Sequence, residues 1–163
     1  MQVGCAVSLH EIEVYGKKIA IDAQKLYLYY NRITKIQGLD ALVNLRELYL
    51  SSNQITQIGG LKTLVNLREL NLTSNQITQI QGLGALVNLK ELCLSMNKIT
   101  KIQGLDTLVK LLRLSIYDNQ ITEFHGLDAL VNLGCLHITS KFNFYSQKDV
   151  REFINKTRLL RGN

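Results

Sequence analysis

The sequence predicts an α/β fold: a right-handed solenoid whose short parallel strands form a concave sheet, with short helical or 3₁₀ turns on the convex side. Three observations predict it. The amino-acid sequence repeats with a fixed period of 22 residues, an asparagine recurs at the same position of every period, and two leucines separated by one residue precede that asparagine. Self-similarity at such a period is typical of stacked units that share one continuous core.

The asparagines mark the period and the end of each strand. They are Asn31, Asn53, Asn75, Asn97 and Asn119. Each follows a segment such as Leu48-Tyr49-Leu50, whose alternation of apolar and polar residues predicts a short strand with one buried face. Because the chain turns after the strand, we expect the asparagine amide to form hydrogen bonds with backbone groups that have no partner in the sheet. We also expect the amides of successive repeats to stack in a column.

The rest of each period predicts the return path of the coil. Two isoleucines, a glycine and two leucines follow the asparagine, as in Ile55, Ile58, Gly60, Leu61 and Leu64. The recurring glycine indicates a positive φ or a close approach between coils. The leucine spacing predicts a single helical turn. One period has too few apolar positions to close a core, whereas five stacked periods bury enough, since each buried side chain contributes roughly 1.5–3 kcal/mol.

The full period, L-x-x-L-x-L-x-x-N-x-I-x-x-I-x-G-L-x-x-L-V-N, is the leucine-rich repeat pattern. Its 22-residue length, its N-x-I-x-x-I-x-G-L segment and the absence of proline resemble the short repeat class typified by a regulatory subunit of protein phosphatase 1. Bacterial internalins have repeats of the same length but typically carry a proline before the leucine, where this chain has glycine. The resemblance covers about residues 23–138 and implies the solenoid fold.

We predict a single domain with a cap at each end, because a stack of parallel strands exposes two apolar ends. Residues 1–22 form an N-terminal cap or degenerate repeat, with residues 2–9 and 12–14 in a degenerate coil or an added strand; residues 23–138 form the repeats and residues 139–163 the C-terminal cap. In that cap Lys141 replaces the expected asparagine, and Ser146 and Asp149 are placed as a capping box that opens a helix. Val150, Phe153 and Ile154 would form its apolar stripe.

The charge and cysteine content of the chain limit the classes of partner and the cellular compartment that we expect. The net charge is +6, and from Lys141 onward six basic residues face two acidic ones. Without interleaved aromatic residues, this surplus favours a soluble cap over nucleic-acid or membrane contact. The cysteines Cys5, Cys93 and Cys135 are odd in number and form no capping framework, and the first twenty residues lack a secretory pattern. We therefore expect a cytoplasmic protein, with the nucleus as the alternative, a monomeric state and no cofactor.

The variable strand positions predict a binding face on the concave side. Two groups stand out there: tyrosines near the first strands, and a ladder of glutamates. A third set consists of residues that differ from those at the equivalent positions of the other repeats. These residues are Tyr27, Tyr29, Tyr30 and Tyr49; Glu47, Glu69 and Glu91; and Arg113, Tyr117 and His137. Duplication alone accounts for the glutamates, but it does not account for the tyrosines, which are favoured in recognition surfaces. Arg46, Arg68 and Lys90, together with Lys25 and Arg113, are expected to ease repulsion along the ladder.

No catalytic arrangement emerges from the sequence. Cys93 and His137 share a column but lie two strands apart, about 10 Å, which is too far for shared metal ligation. We predict a non-enzymatic interaction module that binds a protein or peptide, with a basic segment of the partner meeting Glu47, Glu69 and Glu91. Two alternatives stay open. One is a regulatory subunit of a protein phosphatase, which the resemblance implies, and the other is a ribonucleoprotein scaffold that uses the basic end.

Overall fold

The fold is the predicted solenoid. A computed structural model describes residues 11–122, 126–138, 143–144 and 147–159. Its main sheet has one parallel strand per repeat, and an antiparallel strand joins the last of these. The parallel strands are β3 (Lys25–Tyr27), β4 (Glu47–Tyr49), β5 (Glu69–Asn71), β6 (Glu91–Cys93), β7 (Arg113–Ser115) and β8 (Cys135–His137), and β9 (Asn143–Phe144) follows.

Each parallel strand buries its central leucine and turns the two flanking side chains outward. Leu48 is fully buried in β4, while Glu47 and Tyr49 on either side of it are partly exposed. The register is direct, so that Glu47 pairs with Glu69 and Tyr49 with Asn71. Because equivalent positions lie side by side, the columns read from the sequence are columns in the structure, and the core runs through all the repeats.

The asparagines form the predicted column of buried amides. The Asn75 Nδ2 atom donates to the Leu50 and Leu72 carbonyl oxygens, each at 3.0 Å, and its Oδ1 atom accepts from the Ile55 N–H at 3.0 Å. Asn97 makes the same bonds one repeat further on. The amides thus satisfy the backbone where the strand ends and the chain turns.

The recurring glycine has a positive φ in every repeat, and from Gly60 onward it also approaches the preceding coil closely. Gly104 has a φ of +67°, and a Cβ atom there would lie 2.6 Å from the Ile80 carbonyl oxygen of the preceding repeat. The leucines that follow make isolated turns rather than a continuous helix. Leu64 N–H donates to the Leu61 carbonyl oxygen, and Leu67 N–H to that of Leu64, both at 3.0 Å.

At the N-terminal end, residues 12–14 form an added strand, which is one of the two predicted alternatives, and not a degenerate coil. Strands β1 (Glu11–Val14) and β2 (Lys17–Ala20) form a separate antiparallel hairpin. Tyr15 and Gly16 form its two-residue turn with φ values of 49° and 74°, the left-handed geometry that matches strand twist in tight hairpins. The Tyr15 hydroxyl donates to the Lys35 carbonyl oxygen at 2.6 Å and accepts from the Gln37 N–H at 2.8 Å. These bonds tie the hairpin to the first coil.

The C-terminal end is covered by a helix, α1 (Gln147–Leu159). Ile154 is buried in the core, Phe153 packs against that core, and the Arg151 guanidinium donates to the Leu130 carbonyl oxygen at 3.1 Å. Residues 2–9, Lys141, Ser146 and the Val150 side chain lie outside the described residues, so the expectations for them stay predictions, as does the division into caps and repeats. In the described part of the chain, no helix is long and apolar enough to cross a membrane.

Candidate functional site

The concave face of the sheet carries the tyrosine cluster, which consists of Tyr27, Tyr29, Tyr30 and Tyr49. The Tyr27 and Tyr49 rings stack with centroids 4.9 Å apart and an interplanar angle of 8°. Tyr29 meets the edge of Tyr27 at 6.2 Å, and Tyr30 meets Tyr29 at 6.0 Å. Tyr27 and Tyr29 are each 50% exposed and Tyr30 is 79% exposed. The rings are thus fixed against one another while much of their surface stays exposed.

Backbone geometry after the strand sets the direction of Tyr30. Its φ is +58°, and the equivalent residues Ser52, Ser74, Met96 and Asp118 have φ values between 54° and 56°. A left-handed residue directly before each asparagine therefore belongs to the repeat turn. The first repeat places a large aromatic ring at this position, where the following repeats have smaller or more flexible side chains.

The acidic ladder consists of Glu47, Glu69 and Glu91 on adjacent strands. Its two ends are neutralised by ion pairs: Lys25 lies 2.8 Å from Glu47, and Arg113 pairs with Glu91. The Glu69 carboxylate instead accepts a hydrogen bond from the Tyr49 hydroxyl at 2.8 Å. The centre of the ladder thus keeps its negative charge, since a hydroxyl supplies a proton but no positive charge.

The Tyr49 hydroxyl lies between two carboxylates. Its distance to the Glu47 Oε2 atom is 3.1 Å, compared with 2.8 Å to the Glu69 Oε2 atom, and its single proton serves one of them at a time. Burial raises the pKa of Tyr49, and the Glu69 carboxylate raises it further. The phenol therefore stays neutral and links the tyrosine cluster to the acidic ladder.

Arg46, Arg68 and Lys90 do not have the role that the sequence predicted for them. Together with asparagines and Lys110 they line a groove at the edge of the sheet where the strands begin. The ion pairs of the ladder come from Lys25 and Arg113, which occupy its own column. The physical reason is that neighbouring residues at the entry to a strand leave the backbone in different directions.

The remaining predicted residues lie toward the other end of the face. Arg113 is held by Glu91, and Tyr117 is 42% exposed. The His137 Nε2 atom lies 3.5 Å from the Cys135 Sγ atom. Four strand spacings separate His137 from Tyr49, about 19 Å, so a single side chain of a partner cannot reach both. The structure thus brings the tyrosines together with Glu47 and Glu69, and leaves Tyr117 and His137 apart from them.

The described residues offer no arrangement for a metal ion, and Cys93 is not an activated nucleophile. They contain no group of three or more His, Cys, Asp or Glu side chains that could hold a metal. Burial raises the pKa of the Cys93 thiol, and the Glu91 and Glu69 carboxylates raise it further. A thiol with a raised pKa is protonated at neutral pH and is a poor nucleophile.

Comparison with known proteins identifies the family. The model described as "Leucine Rich repeats (2 copies)" matches residues 24–63 and 65–107, which together are half of the chain. The chain belongs to the leucine-rich repeat family. Strands β3 to β6 lie within the matched residues, as do the tyrosine cluster and the acidic ladder. No curated protein matches the chain significantly.

Solved leucine-rich repeat structures from Listeria monocytogenes resemble this chain. The internalin InlF is 32% identical with a TM-score of 0.68, and the match covers 76% of this chain and 38% of InlF. The internalin C2 is 30% identical with a TM-score of 0.54, covering 76% of this chain and 67% of that one. The functional domain of InlJ, described as including a cysteine ladder, is 24% identical over 80% of this chain and 32% of its own, with a TM-score of 0.55, and supports the fold alone.

The internalin matches can be compared with the resemblance to the phosphatase-regulator repeat class that was drawn from the sequence. Glycine stands in this chain where internalin repeats typically have proline, yet the fold similarity extends over three quarters of the chain. The leucine-rich repeat assignment is confirmed, while membership of the phosphatase-regulator class stays a prediction. The chain spans less than half the length of InlF, so the activity of a whole internalin is not carried over to it.

Proposed function

We propose that this leucine-rich repeat chain is a non-enzymatic protein-interaction module. In this proposal its concave face binds a protein or peptide segment that carries basic side chains. The supporting observation is the Tyr49 hydroxyl held between Glu47 and Glu69, beside the ring of Tyr27 stacked on that of Tyr49. This arrangement places negative charge and exposed aromatic surface within reach of one bound residue.

The charge of this surface supports a basic partner. Lys25 and Arg113 neutralise the two ends of the acidic ladder, whereas Glu69 in the middle has the Tyr49 hydroxyl as its partner. A lysine or arginine side chain of a partner would pair with Glu69 and lie against the tyrosine cluster. A cation over an aromatic ring is stabilised by about 0.5–2 kcal/mol, depending on its exposure. Such a contact favours basic over neutral segments.

The tyrosine cluster supports binding of an extended surface rather than of a small molecule. The rings of Tyr27, Tyr29 and Tyr30 stand on the open face of the sheet and remain at least half exposed. Small-molecule sites are concave and bury most of their ligand. Large, partly exposed tyrosines are instead typical of the anchors at protein interfaces.

The test is affinity capture from a lysate of the source organism, followed by mass spectrometry. The bait variant Tyr49→Ala/Glu69→Lys removes an anchor and reverses the charge at the centre of the ladder, so we expect the partners captured by the wild type to be lost. Glu13→Lys, on the exposed hairpin, is the control for the charge change and should retain them. If every captured partner stays with the double variant, the assigned face is wrong.

A peptide titration distinguishes specific binding of a basic segment from non-specific peptide binding. A labelled peptide of alternating lysine and serine is titrated by fluorescence anisotropy, with a peptide of alternating glutamine and serine as its neutral counterpart. We expect Glu69→Gln to weaken binding of the basic peptide about tenfold, corresponding to roughly 1.4 kcal/mol, and to leave the neutral peptide unaffected. Equal binding of both peptides would reject a basic partner while leaving protein binding open.

The narrower predictions from the sequence have separate tests. Phosphatase regulation requires that the chain bind or inhibit a protein phosphatase 1 catalytic subunit in a purified assay. A ribonucleoprotein scaffold requires RNA binding that weakens as salt is added. Cytoplasmic localisation and a monomeric state stay predictions, which fractionation of the source cells and light scattering would check.

A further inference from the structure

A second polar surface lies at the edge of the sheet, where the chain returns from the convex side and enters each strand. It is a groove of about 550 Å³ lined by five charged residues, Asp22, Arg46, Arg68, Lys90 and Lys110, together with glutamine and asparagine side chains. We call it the entry groove. Four of these residues are basic and one, Asp22, is acidic, which gives the lining a net charge of +3 (four minus one).

The cations of the entry groove are available for a ligand. Arg46, Arg68 and Lys90 occupy equivalent positions in successive repeats, and all three are exposed. Among the described residues none of them forms an ion pair with an acidic side chain, although Glu47, Glu69 and Glu91 follow them directly in sequence. With strands about 4.8 Å apart, the three side chains make a row about 10 Å long.

Fixed amides hold the floor of the groove. The Asn66 Nδ2 atom donates to the Val43 carbonyl oxygen, and that of Asn88 to the Val65 carbonyl oxygen, each at 2.9 Å. The Lys110 Nζ atom donates to the Asn88 Oδ1 atom at 2.8 Å and is thereby oriented along the groove. The surface is thus preformed, which reduces the entropy lost on binding.

The backbone in the groove is already satisfied. The Arg46 carbonyl oxygen accepts from the Arg68 and Glu69 N–H groups, and the Arg68 carbonyl oxygen accepts from those of Lys90 and Glu91. Each of these two carbonyl oxygens already accepts two hydrogen bonds and has no lone pair left for a bound peptide. Recognition must therefore come from the side chains, which are cationic.

We propose that the entry groove binds an extended acidic peptide segment. Guanidinium groups form paired hydrogen bonds with carboxylates. The groove lining runs from Asp22 to Lys110, which is four repeat steps or about 19 Å, a length that an extended segment of about six residues covers. The groove lining contains no aromatic side chain on which a nucleotide base could stack. Single-stranded nucleic-acid sites combine basic residues with such platforms, so a peptide is the better match.

The test uses a fluorescein-labelled hexapeptide of alternating glutamate and serine at 50 mM salt, read by anisotropy. We expect Arg68→Gln/Lys90→Gln to weaken binding about tenfold. Lys35→Gln/Lys62→Gln, which removes the same charge from exposed positions outside the groove, should change it less than twofold. Equal weakening by both variants would show that net charge rather than the groove binds the peptide and would overturn the proposal, as would no binding to the wild type.

Two further measurements locate the site and the class of ligand. In NMR spectra of the wild type, the acidic peptide should shift the side-chain amide signals of Asn66 and Asn88, which line the groove, and leave those of the buried Asn53 and Asn75 unchanged. The reverse pattern would overturn the proposal. A six-nucleotide oligouridylate should bind more weakly than the peptide, and tighter binding of the RNA would replace the peptide with a nucleic acid as the ligand.

Discussion

At the scale of single residues, the structure depends on polar groups that bond across repeats. Asn53, Asn75 and Asn97 are each 8% exposed, and every amide serves backbone groups of both its own and a neighbouring repeat. The Tyr49 hydroxyl serves two carboxylates that lie in different repeats. Such groups set the alignment of one coil on the next, because a shift of one residue would leave buried polar atoms without partners.

Replacing Asn75 by alanine should destabilise the protein by about 3 kcal/mol, because the Leu50 and Leu72 carbonyl oxygens and the Ile55 N–H lose their partner. Asn31→Ala is the matched control. The Asn31 amide donates to the Tyr29 carbonyl oxygen of its own turn, and we expect a loss of about 1 kcal/mol. Urea unfolding followed by circular dichroism gives both values, and equal losses would contradict the role of the buried column.

The Tyr49 hydroxyl should make stability depend on pH in the alkaline range. Because the fold raises the pKa of Tyr49 above its ordinary value of 10.0, the unfolded chain loses this proton before the folded one does. Its contribution is complete below pH 10 and is lost as pH rises above that value. Tyr49→Phe should therefore flatten the fall in unfolding free energy from about pH 10 upward. A Tyr49→Phe profile identical to the wild type would contradict this account.

At the scale of elements, each parallel strand is three residues long and gains its stability from its neighbours. A strand buries one central leucine, and the asparagine and glycine turns return the chain to the next coil. The two ends use different elements, the β1–β2 hairpin and helix α1, because the repeat unit itself has no surface suited to solvent at the end of the stack.

Glycines should tolerate replacement by alanine only where φ is not positive and no atom of the neighbouring coil lies close to the added Cβ atom. Gly104→Ala places a Cβ atom 2.6 Å from the Ile80 carbonyl oxygen in a left-handed conformation, and we expect it to destabilise by more than about 2 kcal/mol. Gly84 has neither a positive φ nor any atom within 4 Å of an added Cβ. Gly84→Ala should therefore be stabilising by about 0.4–1 kcal/mol. Thermal unfolding distinguishes the two, and equal effects would contradict the close approach.

At the scale of the whole molecule, the solenoid behaves as a chain of units coupled to their nearest neighbours. The core is continuous from Val14 to Ile154, and among the described residues each parallel strand pairs with the strands of the adjacent repeats. The charged side chains at equivalent positions of successive repeats also lie side by side. The acidic ladder occupies the concave face and the basic row occupies the entry groove, although the two alternate along the chain. The molecule therefore presents two surfaces of opposite charge side by side.

Removing the contact of helix α1 with the core should loosen the C-terminal repeats first. Ile154→Ala deletes a side chain that is 2% exposed, and we expect a loss of about 3 kcal/mol. In hydrogen exchange, the amides of strand β8 should lose more protection than those of β4. Leu92→Ala in the middle strand β6 is the control and should affect both sides alike. Uniform loss in the Ile154→Ala variant would contradict nearest-neighbour coupling.

Much of this protein was predictable from its sequence, because the repeat encodes local geometry five times over. The strands, the asparagine column, the left-handed glycine and the tyrosine and glutamate positions on one face all follow from periodicity and register. The tyrosine cluster was located correctly for the same reason. Its role as a binding site stays a prediction, since chemistry at an open face depends on a partner.

Only the tertiary structure decided which side chains meet. Arg68 and Glu69 are neighbours in sequence, yet one lines the entry groove and the other lies on the concave face, where it bonds to Tyr49, twenty residues away. The sequence offered an added strand at residues 12–14 as one alternative, but its antiparallel pairing with residues 17–20 was likewise not predicted. Periodicity determines the coil, because each repeat folds by the same local rules. Pairing across coils depends on the direction in which each side chain leaves the backbone, and a repeat pattern does not contain that information.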